Sequence, residues 1–275
     1  MIRRIFLSLA LTAAVALTTK AQKIAVTKGQ KLETVTTTKM NMEMMGQNIN
    51  NESGATTAIE VKEVNADGFL FTSMVKRITT KVSGMGQDIS FDSDKKEDMD
   101  GQIGQAIKDQ INVLQEIQVD QKGKVISTTA ASDKKTGGMA DMMSITGDVT
   151  KGQPYPVLIQ LPSKSVKPGD TWVDSSGTAA TLKTVTTYTL MQVNADGALV
   201  SFTATLAKNG TIEQNGMEIQ MDMTGTTKGE ATYDQATGLL KTSATTSDIK
   251  GTLGIMGQNA PLNATVTANV VAKKM

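Results

Sequence analysis

The side chains that most often do chemistry in proteins are missing from this sequence. Its 275 residues include no histidine and no cysteine. Histidine is the commonest general acid or base and the commonest nitrogen ligand for metals, while cysteine supplies thiolate nucleophiles and many zinc ligands. Triads built on histidine, thiol chemistry, disulfide bonds and sulfur-rich zinc sites are therefore excluded.

Acidic residues do not offer a substitute. The chain has 27 acidic and 28 basic residues, and no two carboxylates stand out as the pair that a glycosidase needs. Aromatic residues make up only 3% of the chain, which leaves few platforms for sugar rings, and no basic stripe indicates nucleic-acid binding. We therefore predict a protein that is not an enzyme, has no catalytic residues, cofactor or metal centre, and does not bind nucleic acid.

Methionine is the residue type whose spacing does suggest a site, since the chain contains 17. Met40, Met42 and Met44 alternate, so in a strand their thioethers share one face at intervals of about 7 Å. A second set is formed by Met217, Met221 and Met223. Thioethers bind soft Cu(I), adapt to apolar ligands of varied shape, or fill a core. Copper carriers commonly add histidine or cysteine, so we favour the apolar alternatives over copper.

The elements that carry these residues are predicted to be strands. Threonine and valine dominate, and period-two alternation recurs between turn signals rich in glycine and asparagine. We predict a mainly β fold of curved antiparallel sheets, open and half-barrel-like, in two related halves. The clearest strand patterns cover 32–45, 56–64, 69–82, 182–193, 198–206 and 264–271.

One amphipathic helix is predicted at about 99–114, where Ile103, Ile107 and Ile111 fall on one face at helical spacing. A curved sheet that does not close must cover its concave face, and this helix is the candidate lid. The three isoleucines join the two methionine sets as the predicted ligand-binding residues.

The chain divides into four parts by composition. Residues 1–21 have the basic start, short apolar run and small-residue cleavage site of a signal peptide, which predicts export to the periplasm, cell surface or medium. The apolar run is too short to span a membrane, and no later segment is longer. A β-rich half with the inserted helix follows at 22–150, then a proline-rich connector at 151–170 and a second β-rich half at 171–275.

The two halves share short motifs in the same order. Val64-Asn65-Ala66-Asp67-Gly68 recurs as Val193-Asn194-Ala195-Asp196-Gly197, and the Asp120-Gln121 turn is echoed by Asp234-Gln235. The interval between the two motifs is longer in the first half than in the second, and the predicted helix lies in that longer interval. The order of the motifs indicates an internal duplication with the helix inserted into the first copy.

Several landmarks resemble a known family. They are Met44-Met45-Gly46-Gln47, Phe91-Asp92-Ser93-Asp94, Leu161-Pro162 and Val166-Lys167-Pro168-Gly169-Asp170-Thr171-Trp172. Together they are similar to a secreted family of the Bacteroidota known as domain of unknown function 6263. The resemblance implies an envelope location and lends no activity. Trp172, the only tryptophan, is interpreted as an anchor between the second half and the connector.

The functional hypothesis is a non-enzymatic periplasmic or surface protein that binds an apolar ligand, such as a lipid, or a partner's apolar segment on a methionine-lined concave sheet. A structural or interaction protein of the envelope, with a fully packed core, is the main alternative. Methionine-based Cu(I) binding is the minor one.

Overall fold

The computed structural model describes residues 24–44, 46–84, 86–129, 149, 151–159, 166–177, 182–214, 217–255 and 258–275. In the first half the elements are β1 (Lys31–Met44), β2 (Gln47–Asn65), β3 (Gly68–Gly84), β4 (Gln87–Asp92), α1 (Lys96–Asp100), α2 (Gln102–Ile107), β5 (Gln115–Asp120) and β6 (Val125–Thr128). In the second half they are β7 (Thr171–Ser176), β8 (Lys183–Asn194), β9 (Gly197–Gln214), β10 (Met217–Tyr233), β11 (Leu240–Ile255) and β12 (Gln258–Lys274). The predicted mainly β, antiparallel fold is confirmed.

The described strands form a single 12-stranded sheet rather than one sheet in each half. Its order is β6-β5-β3-β2-β1-β12-β11-β10-β9-β8-β7, and β4 adds to β3. The halves join where β1 pairs with β12 along nearly its whole length, from Leu32 opposite Lys274 to Met44 opposite Leu262. The first and last strands of the chain therefore lie side by side in the middle of the sheet.

The strand register divides the sheet into two faces, because residues directly opposite each other project from the same side. We call the inner face the one that carries Leu32, Ile59 and Val200, all of them buried. The outer face carries Thr, Asn, Lys and Glu residues, most of them exposed. This alternation is the pattern expected of an antiparallel sheet with one covered face.

Three groups of buried residues cover parts of the inner face. The largest, here the aromatic cluster, includes Phe69, Phe71, Tyr155 and Tyr233, with Trp172, Tyr188 and Phe202 packed against it. The methionine cluster includes Met42, Ile49, Met221, Leu253 and Leu262. The helix cluster consists of Val75, Ile78 and Phe91, against which Met99, Ile103, Ile107 and Ile111 pack.

The proline-rich connector belongs to the core at 155–159. Tyr155, Val157, Leu158 and Ile159 are buried in the aromatic cluster. On one side of this segment the Val125 amide of β6 donates to the Gln153 carbonyl at 2.9 Å. On the other side the Leu240 amide of β11 donates to the Val157 carbonyl, also at 2.9 Å. The connector thus crosses one end of the sheet and links strands that are distant in the sheet order.

Side chains then tie the edge strand β7 to the opposite edge. Lys124, just before β6, forms an ion pair with Asp174 of β7 at 2.6 Å. The Ser176 hydroxyl of β7 donates to the Gln153 side-chain oxygen at 2.7 Å. Because these contacts join the two ends of the strand order, the sheet must curve strongly about its inner face.

The two repeated turns occupy matching places in the strand register. Phe69 lies opposite Val119 after the first Asn-Ala-Asp-Gly turn, and Ala198 lies opposite Tyr233 after the second. In both turns the asparagine side-chain oxygen accepts bonds from the amides two and three residues later. The strands β2, β3, β5 and β6 therefore correspond to β8, β9, β10 and β11, with β4 and the helices inserted in the first set.

The single helix predicted at about 99–114 is wrong in extent. Two short helices are present, and Gly101 between them is extended at ψ 175°. The second ends at Ile107, and Asn112 has φ 59°, which a helix does not allow. The predicted apolar face is nevertheless correct, since its isoleucines pack together on the inner face of β3 and β4. No helix in the described residues is long and apolar enough to cross a membrane.

Candidate functional site

The two predicted methionine sets meet in the methionine cluster, although one set lies in β1 and the other in β10. Met42 and Met221 are buried, at 5% and 2% exposure. Met40, Met44 and Met223 are only partly buried and pack around them. The Met217 side chain lies outside the described residues. The sheet order explains the meeting, because only β12 and β11 separate β1 from β10.

A glycine makes room for the second set. Met44, Leu262, Gly251 and Met223 form one row across four neighbouring strands. A Cβ on Gly251 would lie 2.9 Å from Cγ of Met223, so the Met223 side chain occupies the space that a larger residue would fill. Two positions separate Met223 from Met44 in this row, and they are Gly251, which has no side chain, and the buried Leu262.

The helical isoleucines do not belong to this cluster. Ile103, Ile107 and Ile111 pack against the helix cluster, beside β3 and β4. Their position follows from topology, because the chain enters α1 directly from β4, which pairs only with β3. The predicted residues whose side chains the structure describes thus lie in two separate clusters on the inner face, and the described helices pack over the helix cluster rather than over the methionines.

Hydroxyl and amide groups line part of the inner face between the apolar clusters. Asn51 and Ser53 of β2 are buried, and Thr80 of β3 donates to the Asn51 side-chain oxygen at 3.0 Å. Across the sheet, the hydroxyls of Thr227 and Ser247 are 2.7 Å apart. The Thr80–Asn51 and Thr227–Ser247 hydrogen bonds stabilise the sheet at places where the apolar clusters do not reach.

The aromatic cluster holds all three tyrosines, and burial raises the pKa of each. The pKa of Tyr188 rises to about 12, and those of Tyr155 and Tyr233 rise further. Tyr155 Oη and Trp172 Nε1 are buried without a hydrogen-bond partner in the described residues. A phenol that stays protonated is neither a base nor a nucleophile near neutral pH, so the cluster has the properties of a core.

Two grooves lie on the outer face, and the sequence pattern did not predict them. The asparagine groove has a volume of about 480 Å³ and is lined by Asn41, Met42, Glu43, Asn48, Asn50, Asp248, Ile249, Lys250, Asn263, Ala264 and Thr265. The threonine groove measures about 850 Å³ and is lined by Thr187, Thr189, Ser201, Phe202, Thr203, Lys228, Gly229, Glu230, Ala244, Thr245, Thr246, Thr267 and Asn269. Of the asparagines that line the asparagine groove, only Asn41 lies in a strand predicted from the sequence, where it reads as part of an ordinary solvated face until the strand order is known.

In the part of the chain that the structure describes, acidic side chains do not gather into a group that could hold a metal ion. Arg77 forms a two-point ion pair with Asp92, whose closest atoms are 2.7 Å apart. The hydrogen bond from Arg77 lowers the pKa of Asp92, and the Asp92 amide is itself bonded to Asp98 at the start of the helices. This group holds the inserted helices against β3.

Comparison with known proteins gives a partial sequence match. Residues 147–240 match a family of unknown function, domain of unknown function 6263. The matched part contains the Gly169-Asp170-Thr171-Trp172 segment and the strands from β7 to β10, whereas the landmark at Phe91 lies outside it. No curated protein has a matching sequence.

Solved structures show only distant similarity. An outer membrane channel from Pseudomonas putida F1 is 8% identical, with a TM-score of 0.29 over 91% of this chain and 98% of that chain. OccK7 (OpdD) from Pseudomonas aeruginosa is 7% identical, with a TM-score of 0.22 over 90% of this chain and 100% of that chain. Scores this low carry no functional argument.

Proposed function

We propose that this protein is a non-enzymatic binding protein, exported to the cell envelope, that holds an apolar ligand or a partner's apolar segment on the methionine cluster. The observation that supports the proposal is the graded exposure of that cluster. Met40, Met44 and Met223 are partly exposed around the buried Met42 and Met221. The cluster therefore combines a packed base with accessible thioethers on one face.

Methionine suits this role because its unbranched side chain has several rotatable bonds and a polarizable sulfur. A ligand that displaces water from the partly exposed methionines would gain about 25 cal/mol for each Å² of apolar surface buried. The row through Gly251 leaves the Met223 side chain unobstructed by a neighbour on β11. Such a surface would accept related apolar shapes without strict selection.

The first experiment measures binding of the apolar fluorescent probe N-phenyl-1-naphthylamine. We expect enhanced fluorescence with the native protein and a roughly tenfold weaker response with Met40→Gln/Met44→Gln, because two polar amides then border the cluster. The matched control is Met191→Gln, since Met191 is 50% exposed and lies outside the cluster. Circular dichroism checks that both variants fold.

The packed-core alternative predicts different results. If the native protein does not enhance the fluorescence, or if the double variant and Met191→Gln respond equally, the methionine cluster is core and the proposal fails. Native mass spectrometry of the purified protein provides a second measurement, because a carrier of an apolar ligand should retain some of it as added mass.

Cu(I) binding is the second candidate, and the observation that favours it is the meeting of both methionine sets in one cluster. Three thioethers would bind the soft ion together, so changing Met40, Met42 and Met44 to leucine should weaken a Cu(I) titration at least tenfold. Leucine keeps the apolar volume and removes the sulfur. Equal titrations for the native and triple-leucine proteins would end this candidate while leaving apolar binding intact.

A further inference from the structure

The asparagine groove is a regular array of polar side chains on the outer face. Its residues come from four adjacent strands, β2, β1, β12 and β11, in two neighbouring rows. Asn50 and Asn41 lie opposite each other in one row, and Asn48 and Asn263 flank Glu43 in the other. Because strands are about 4.8 Å apart and alternate residues about 7 Å apart, the rows form a grid of evenly spaced groups.

The asparagine side chains of this grid are exposed. Within the described residues, the side chains of Asn41, Asn48, Asn50 and Asn263 make no hydrogen bond. Each amide can donate two hydrogen bonds and accept two, and the neighbouring Lys250 adds only donors. The groove therefore offers many free donors and acceptors in fixed positions on a rigid sheet.

The charges of the groove restrict the class of ligand. Glu43 and Asp248 oppose the single Lys250, so a phosphate or another polyanion would meet a net negative site. Met42, Ile249 and Ala264 are the apolar lining residues, and the register directs their side chains to the inner face. The side chains that project into the groove from the outer face are polar, which disfavours a lipid tail. A sugar fits better, because every hydroxyl both donates and accepts a hydrogen bond, as the asparagine amides do.

The length of the polar surface favours a chain over a single sugar. The threonine groove continues on β12 to β8, and Thr265 of one groove is followed on the same face by Thr267 of the other. Seven strands from β2 to β8 take part, which corresponds to a path of about 29 Å along the curved outer surface. The charges in the threonine groove balance, with one Lys228 against one Glu230.

We infer that the outer face is a binding site for an uncharged linear polysaccharide, which crosses the strands along the two grooves and is held by hydrogen bonds from side-chain amides and hydroxyls. This site lies on the face opposite the methionine cluster, although Met42, Ile249 and Ala264 of that cluster also border the asparagine groove. Recognition here needs no aromatic platform, so binding is expected to be weak for each sugar and to gain strength from the number of sugars contacted.

Affinity electrophoresis tests the inference with the folded protein. Native gels contain hydroxyethyl cellulose, xylan, laminarin or dextran, and a heparin gel provides the anionic comparison. We expect slower migration in at least one gel with an uncharged polymer, and a dissociation constant about tenfold higher for Asn41→Ala/Asn263→Ala. Asn209→Ala is the matched control, because Asn209 is exposed on the outer face and lines neither groove.

Three results would overturn the inference. They are unchanged migration of the native protein in all four uncharged gels, equal retardation of the double variant and the native protein, and retardation in heparin alone. The apolar probe is measured in parallel on the same double variant. The two measurements report on different faces of the sheet. If the double variant loses polysaccharide binding but still binds the apolar probe, the two sites are independent, and a negative result at one site leaves the proposal for the other intact.

Discussion

The free energy of unfolding should fall by about 7 kcal/mol between pH 9 and about pH 12, after a nearly flat range from about pH 6 to pH 9. The fall comes from the three tyrosines of the aromatic cluster, whose pKa values burial raises above the ordinary value of 10.0. The flat range follows from the absence of histidine. No side chain with an ordinary pKa titrates between the carboxylates and the lysines or tyrosines.

The sign of the effect follows from which form each state prefers. The folded protein keeps the buried phenols neutral, whereas the unfolded chain releases their protons near pH 10. The stability that the buried neutral tyrosines provide is therefore fully present below pH 10, and it is lost as the pH rises toward 12 and beyond. Each loses about 1.4 kcal/mol per pH unit above 10 while the folded state stays protonated, and the combined loss is comparable with the whole stability of many domains.

The measurement is a series of urea unfolding curves from pH 6 to pH 12, with the triple variant Tyr155→Phe/Tyr188→Phe/Tyr233→Phe as control. The variant should show a much smaller alkaline fall. Below pH 9 the Tyr155→Phe change should hardly lower the free energy of unfolding, because the Tyr155 hydroxyl has no hydrogen-bond partner in the described residues. If the native protein and the triple variant lose stability equally above pH 10, lysine deprotonation rather than tyrosine burial sets the alkaline limit.

Gly197→Ala and Gly68→Ala should each destabilise the protein by about 3 to 5 kcal/mol. These glycines end the two Asn-Ala-Asp-Gly turns and have φ values of 139° and 149°. A Cβ at Gly68 would overlap the Val119 carbonyl oxygen, and one at Gly197 would overlap the Tyr233 carbonyl oxygen. In both cases the obstacle is the backbone of the next strand in the sheet, which cannot rotate away.

A control for backbone strain alone is Gly169→Ala. Gly169 also has a positive φ, 93°, but a Cβ there would have no heavy atom within 4 Å. Gly169→Ala should lower the free energy of unfolding by about 1 kcal/mol. The additional loss in Gly68→Ala and Gly197→Ala then measures the overlap of the new Cβ with the neighbouring strand. Chemical denaturation of the three variants provides the comparison. Similar losses for all three would contradict the close strand approach, and a large loss at only one turn would contradict the equivalence of the two halves.

The duplicated turns were predictable because their chemistry is local. Asn65 and Asn194 accept hydrogen bonds within their own turns, and a glycine that follows them marks the start of a strand. The alternation that predicted β1, β3 and β9 is equally local, since it depends only on which face of a strand each residue occupies. The helix was predicted too long because isoleucine spacing continues through 111, whereas Gly101 and Asn112 leave the helical conformation.

The candidate sites were less predictable because each depends on neighbours that are distant in the chain. The sequence indicated two methionine sets but not that β12 and β11 alone would separate them. It placed the helix over the concave face, but β4 carries the helices to β3 and away from the methionines. The asparagine groove was not visible at all, because Asn41, Asn50 and Asn263 become neighbours only through the pairing of β1 with β2 and β12.

By itself, the sequence determined the chemistry that is absent, the β-rich character of the chain and the equivalence of the two turns, because each depends on composition or on residues a few positions apart. The tertiary structure decided that β1 pairs with β12 in one sheet and that 155–159 enter the aromatic cluster. It also decided that the polar outer face forms grooves. The physical reason is that strand order and sheet curvature arise from long-range pairing and packing. A period-two pattern determines which face a residue occupies but not which strands pair.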